Sequence, residues 1–155
     1  GLISPQVLLD FPLFTAQVTS DPQPATNCER YERTSLSDDG TTAEYDLAYT
    51  NAGDTTAMND TSTFKAANNT VMYITFGNNS SPVYELTLDY VNGDQCFVGH
   101  CNCTETPEIY YYLIDNPDSD ILEYNKCFNK IDGYSGGNIT FLRDIQRCQN
   151  VPPKP

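Results

Sequence analysis

The chain is 155 residues long and 39% hydrophobic, with 21 acidic against 8 basic side chains and a formal net charge of −13. That length suits one domain with a core of its own, and no apolar run reaches the roughly 18–20 residues of a membrane-spanning helix. The charge balance excludes nucleic acid and anionic membranes as partners, since both recruit clustered Lys and Arg; an acidic surface serves solubility and permits cationic ligands without requiring them.

Period-two alternation runs through most of the chain and predicts strands. The first spans Leu13 to Thr19, with Phe14, Ala16 and Val18 on one face, and Asp21-Pro22-Gln23-Pro24 breaks it. Extended character resumes from Cys28 to Leu36. Asp38-Asp39-Gly40 is a hairpin signal, and the returning strand from Ala43 to Tyr49 puts Ala43, Tyr45, Leu47 and Tyr49 on one face. After the turn at Asn51-Ala52-Gly53-Asp54, further strands read at Thr63–Ala66, Thr70–Phe76, Val83–Val91, Gln95–Val98 and Glu108–Ile114. One helix is predicted, Ile121 to Ile131, capped by Asp120 with Glu123 three residues on and stopped at Gly133. A last strand, Ile139 to Ile145, leads to Cys148, and the Pro-rich tail 151–155 is expected to be mobile. The whole, residues 1–155, reads as a single all-β domain: an eight-stranded antiparallel up-and-down barrel with one short C-terminal helix. Such a barrel is either filled by its own side chains or holds one small ligand.

Six cysteines without a Cys-x-x-Cys pair read as a disulfide frame in an oxidising compartment. Six Asn-x-Ser/Thr sequons, at Asn59, Asn68, Asn78, Asn79, Asn102 and Asn138, exceed what chance placement would give and point to glycosylation. Both imply a secreted, extracellular protein, and the lack of a signal peptide implies the mature form. Eleven Tyr and seven Phe with no Trp suit an apolar cavity with a few hydrogen-bonding points, or equally a filled core. Tyr45 with Tyr49, Tyr84 with Tyr90, and Tyr110 with Tyr112 share strand faces by alternation. The inward face of each strand is not fixed by alternation alone.

The order Cys28, Leu88-Asp89-Tyr90, Asp94-Gln95-Cys96, Tyr110-Tyr111-Tyr112-Leu113, Cys127-Phe128-Asn129-Lys130 and Phe141-Leu142-Arg143-Asp144-Ile145-Gln146-Arg147-Cys148 resembles the tick salivary lipocalins, the histamine-binding-protein family, over about residues 8–150. The resemblance implies the barrel with its helix packed outside, and pairing of Cys28 with Cys148 and of Cys96 with Cys127. That leaves Cys101 and Cys103 to pair with each other or with a second chain. Amine-binding members of that family carry an Asp after the cysteine matching Cys96 and a Glu-Leu-Trp or Glu-Leu-Tyr on the next strand. Here Phe97 and Tyr110-Tyr111-Tyr112-Leu113 stand there, which argues against an amine site of that kind unless Asp89, Glu85, Glu44 or Asp46 faces inward. Members that bind eicosanoids use a buried cation, for which Arg30, Arg33, Lys65 and His100 are the candidates. Japanin-like members hold a sterol, which needs only an apolar cavity and one hydroxyl partner.

Catalysis finds little support. One His and no Gly-x-Ser-x-Gly elbow argue against a Ser-His-Asp hydrolase, and no acidic pair is marked out for glycoside chemistry. Disulfides would consume the thiols of a zinc cluster drawn from Cys96, His100, Cys101 and Cys103. The acidic turns lack the spacing of a calcium loop. The sequence therefore reads as a non-enzyme without metal or cofactor: a secreted salivary lipocalin that sequesters a small hydrophobic ligand, a sterol such as cholesterol or a lipid mediator, and modulates host immune defence. Its expected lining is Phe14, Val18, Tyr45, Leu47, Tyr49, Phe76, Leu86, Leu88, Phe97, Tyr110 and Tyr112, with Arg30 or Arg33 as polar anchor. The alternatives are an amine or leukotriene scavenger, and a module that binds a host immune protein or cell receptor.

Overall fold

The structure, a computed structural model, describes residues 2–104 and 106–154. Eight strands form the barrel: β1 Leu13–Thr19, β2 Thr26–Leu36, β3 Thr42–Asn51, β4 Met58–Ala66, β5 Val71–Phe76, β6 Tyr84–Asn92, β7 Cys96–Cys101 and β8 Tyr110–Asp115. Every neighbouring pair is antiparallel. β1 pairs with both β8 and β2, so the sheet closes, the last seam being the short ladder from Leu13 to Thr15 against Arg30 to Glu32. A two-residue strand β9, Thr140–Phe141, adds to β1. It is all that forms of the strand expected over Ile139–Ile145. β4 is longer than expected because its first half, Met58 to Thr61, is exposed, polar after Met58, and carries no alternation signal.

Two helices flank the barrel. α1, Ile3–Asp10, escapes the sequence pattern: it is short and lacks a side-chain cap. Tertiary contact supports it instead. Val7, Leu8 and the following Phe11 are buried and plug one end of the barrel. Hydrogen bonds hold the plug in place: Ile3 and Ser4 bond the turn at Asn68 and Asn69, the Tyr45 hydroxyl donates to the Phe11 carbonyl at 2.9 Å, and the Arg33 guanidinium donates to the Leu8 carbonyl at 2.5 Å. α2, Ile121–Tyr134, starts at the predicted cap, where the Asp120 carboxylate accepts from Leu122 N–H, and runs through Gly133 before stopping. Cys127 and Ile131 bury its inner face against β6, β7 and β8.

The wall therefore separates two apolar clusters. Inside lie residues such as Phe14, Tyr31, Tyr45, Phe64, Ile74, Leu86 and Phe97; between wall and α2 lie Val18, Cys96, Val98, Leu113, Cys127 and Ile131. Alternation sorts residues between the two, and bulges reset it. On β1 the register slips between Ala16 and Val18, which turns Val18 to the outer cluster although Phe14 and Ala16 face inward. On β6 it slips between Leu88 and Tyr90, so Tyr84 and Tyr90, which alternation put on one face, lie on opposite faces. Opposite that second bulge Gly99 meets β6 closely: a Cβ there would lie 2.7 Å from the Thr87 carbonyl oxygen.

Three disulfides staple the fold. Cys28–Cys148 ties β2 to the C-terminal segment, Cys96–Cys127 ties β7 to α2, and Cys101–Cys103 bridges the end of β7. Cys28 takes a left-handed backbone (φ 61°), and the β2–β3 register shifts beside it. At the tail, Val151 is buried beside Cys28 and Cys148, and its carbonyl accepts from Arg143 at 2.8 Å.

Candidate functional site

With α1 at one end, the other end is framed by the β1–β2, β3–β4, β5–β6 and β7–β8 loops. A cavity of about 860 Å³ opens there, within the range of small-ligand pockets. Its mouth is made by Asp21 to Thr26 of the β1–β2 segment and by Cys103, Thr104, Thr106 and Glu108 of the β7–β8 segment. Its walls are apolar and aromatic. Phe14 and Tyr31 stack with centroids 4.5 Å apart, and Phe64 meets both edge-on at 5.8 and 5.7 Å. This aromatic layer is rigid because each ring is held by two others.

Of the expected lining, Phe14, Leu47, Tyr49, Phe76, Leu86, Phe97, Tyr110 and Tyr112 surround the cavity. Four residues lie elsewhere. Val18 is on the outer face under α2, for the bulge described above. Tyr45 and Leu88 point inward but are packed into the filled end, Tyr45 by its bond to Phe11. Arg30 opposes the outward Thr15 and pairs with Glu32 at 3.2 Å, because its neighbour Tyr31 takes the inward position. Arg33 is spent on the α1 carbonyls, Lys65 is exposed, and His100 pairs on the outer wall with Asp89 at 2.7 Å. Glu85, Glu44 and Asp46 are exposed as well.

Sequence reasoning missed Tyr31, Phe64, Ile74 and Ile114 in the wall. The signal existed: Ala43 opposes Phe64, Phe64 opposes Ile74 and Ile74 opposes Tyr84, an apolar row crossing four strands. It also missed the carboxylates. Asp21, Glu29, Asp60 and Glu108 line the cavity, and no Lys, Arg or His does among the described residues. Glu29 accepts from the Tyr31 hydroxyl at 2.6 Å and from Thr26 at 3.0 Å, while Glu108 accepts from the Tyr110 hydroxyl. Asp21 is buried and accepts from Gln23 N–H at 2.9 Å.

These acids set the chemistry of the phenols. Burial, reinforced by the Glu29 carboxylate, holds the Tyr31 pKa well above the usual tyrosine value, and burial with Glu29 and Asp21 does the same for Tyr112. The bond to Glu108 pushes Tyr110 up to about 12. All three stay protonated donors at neutral pH. The cavity thus offers apolar walls, phenol hydroxyls and a negative potential near the mouth, with no fixed positive charge to meet an anion.

No family model matches the chain, and no curated protein matches its sequence. Solved structures do resemble it in shape. Lobster apocrustacyanin A1 superimposes with a TM-score of 0.60 at 9% identity, covering 91% of this chain and 85% of that one. The bovine lipocalin allergen Bos d 2 gives 0.57 at 14% identity over 87% and 93% of the two chains. A deswapped triple mutant of bovine odorant binding protein gives 0.58 at 11% over 86% and 93%. The fold is that of the lipocalins.

Proposed function

We propose that this chain is a secreted lipocalin, one domain over residues 1–155, that sequesters a small, mainly hydrophobic ligand in its barrel and, as a salivary glycoprotein, modulates host immune defence. The observation that carries the reading is the cavity of about 860 Å³, walled by aromatic rings at the open end of a barrel whose other end is plugged. The lipocalin fold supports it, and one of the similar structures is of an odorant-binding protein. The mechanism is stoichiometric. Removing apolar ligand surface from water contributes ~25 cal/mol per Å², and a preformed wall spares the cost of ordering it on binding. Three disulfides fit an oxidising compartment, and no helix among the described residues is long and apolar enough to cross a membrane.

Charge narrows the ligand. A fatty acid or leukotriene would bring its carboxylate among four others with no cation in the lining, which costs both desolvation and repulsion. A sterol or other neutral lipid needs one hydroxyl partner; Tyr112 supplies a donor, while the Tyr31 and Tyr110 hydroxyls, already donating to Glu29 and Glu108, can only accept. A second reading rests on Glu29 and Asp21: a protonated amine would find there the carboxylate partners that Asp89, Glu85, Glu44 and Asp46 fail to provide. A host immune protein or receptor remains the partner class for the outer surface.

Displacement of a bound fluorescent probe tests the order. The expected result is that a neutral sterol competes best, a biogenic amine less well, and a fatty acid least. Glu29→Gln should weaken the amine and leave the sterol unchanged. A fatty acid that competes as well as the sterol would overturn the charge argument.

A further inference from the structure

The six sequons are not spread evenly. Asn59 stands at the start of β4 beside the β3–β4 loop, Asn78 and Asn79 in the β5–β6 loop, and Asn102 in the β7–β8 connection. Three of the four loops framing the mouth therefore carry or adjoin an acceptor. The fourth, the β1–β2 loop Asp21-Pro22-Gln23-Pro24-Ala25, carries none. We propose that the rim of the barrel is a glycosylated surface, with N-linked glycans at Asn59, at one of the overlapping pair Asn78 and Asn79, and at Asn102, and that the bare β1–β2 loop marks the port for a small ligand.

The local geometry presents each acceptor outward. Asp60 lines the cavity, so alternation turns the preceding Asn59 to the outer face, where it is exposed. Asn78 and Asn79 are exposed in a turn that follows Gly77, which takes φ 67°. Cys101 and Cys103 both line the cavity and are bonded to each other, which leaves Asn102 between them as the exposed apex of a small ring. The other two acceptors are engaged in local structure instead: Asn68 lies at the plugged end, while Asn138, two residues before the Thr140 that pairs with Thr19, lies beside the open end and is kept off the rim by that engagement alone. The Asn68 side-chain oxygen accepts from Thr70 and Val71 N–H, each at 3.1 Å, next to α1, and the Asn138 side-chain nitrogen donates to the Ser135 carbonyl at 3.2 Å.

A glycan is bulky, hydrophilic and mobile. Three of them around one opening leave no dry surface on which a second macromolecule can seat, yet pass a molecule small enough for the cavity. The open side coincides with the segment that supplies most of the mouth, Asp21 to Thr26, including Asp21 itself. A ligand entering there meets the carboxylates first and the aromatic layer afterwards. The inference rests on the secretory route in the proposed function but not on the identity of the ligand.

The full chain, secreted from eukaryotic cells, is treated with peptide N-glycosidase in heavy-oxygen water, and the labelled aspartates are located by peptide mass spectrometry. Label is expected at Asn59, at Asn78 or Asn79, and at Asn102. A rim without label overturns the proposal, and label at Asn138, which flanks the β1–β2 loop, overturns the port. The port has its own test: Pro22→Asn with Pro24→Ser installs a sequon in the bare loop. Its glycan should slow association of a neutral sterol probe about tenfold, and enzymatic deglycosylation should restore the rate. Equal rates before and after removal, on a protein shown to carry that glycan, would refute the port. Probe binding with an unlabelled rim ends this inference and leaves the carrier; a labelled rim with no probe binding keeps the glycosylated rim and ends the carrier together with its port.

Discussion

Asp115 sits at the end of β8, on the outer face, with 6% of its surface exposed. Its carboxylate accepts hydrogen bonds from the Thr15 hydroxyl and from Gln17 at 3.1 Å, and Arg143 attracts it from a distance. Desolvation outweighs these and raises its pKa from 3.8 to about 6. A raised carboxylate stabilises the fold while it is protonated: the contribution is complete below the unfolded value of 3.8 and is lost as pH rises through about 6. At ~1.4 kcal/mol per unit, ionisation at pH 7 costs about 3 kcal/mol against a group with no shift, and about 2–3 kcal/mol of that develops between pH 4 and 7. Asp115→Asn keeps the acceptor oxygen and removes the ionisation. The expected outcome is that the variant gains about 2–3 kcal/mol on the parent between pH 4 and 7, a relative rise of roughly 4–12 °C in midpoint for a chain of this size. Urea unfolding with disulfides intact, followed by tyrosine circular dichroism across that pH range, measures it. Parallel stability curves for parent and variant would refute the assignment of the pH dependence to Asp115.

Other perturbations test the frame. Replacing Cys28 and Cys148 by Ser opens a link spanning 120 residues and should cost about 4–5 kcal/mol, against about 3–4 kcal/mol for Cys96 and Cys127, whose span is 31; urea midpoints under oxidising conditions give both. Gly99→Ala forces a Cβ onto the Thr87 carbonyl and the Leu86 side chain, and should destabilise by about 1–3 kcal/mol; an unchanged midpoint would mean that β6 yields there. Arg33→Met removes the charged donor that holds α1 and should cost about 1.5–3 kcal/mol, with faster hydrogen exchange at Val7 and Leu8 as the readout.

The strands were legible because a barrel wall makes period two the rule, and α2 because Asp120 and the Ile121–Ile131 stripe are local signals. α1 was illegible for the opposite reason: its stability lies in contacts with Asn68, Tyr45 and Arg33, far away in the chain. In the cavity, alternation put Leu47 with Tyr49 and Tyr110 with Tyr112 on shared faces, and the closed barrel turns those faces inward. Alternation misplaced Val18 because a single slip on β1 reverses every face beyond it. The acids escaped notice because Asp21 belongs to a loop and Glu29 follows Cys28, whose left-handed backbone interrupts the count. A filled and a hollow barrel have the same sequence pattern. Only the pairing registers decide how far Tyr45 and Leu88 reach into the space.

The two apolar clusters make the barrel lopsided. β6, β7 and β8 are buried from both sides, by the interior and by α2 with its Cys96–Cys127 bond. β4 and β5 have no helix behind them, and Asn59, Thr61, Lys65 and Tyr73 are exposed there. Backbone amides on that single-layered side open to solvent at lower free energy than those beneath the helix. The molecule is therefore expected to have a firm back and a yielding front, with amide hydrogen exchange fastest at β4, β5 and the hairpins that join them.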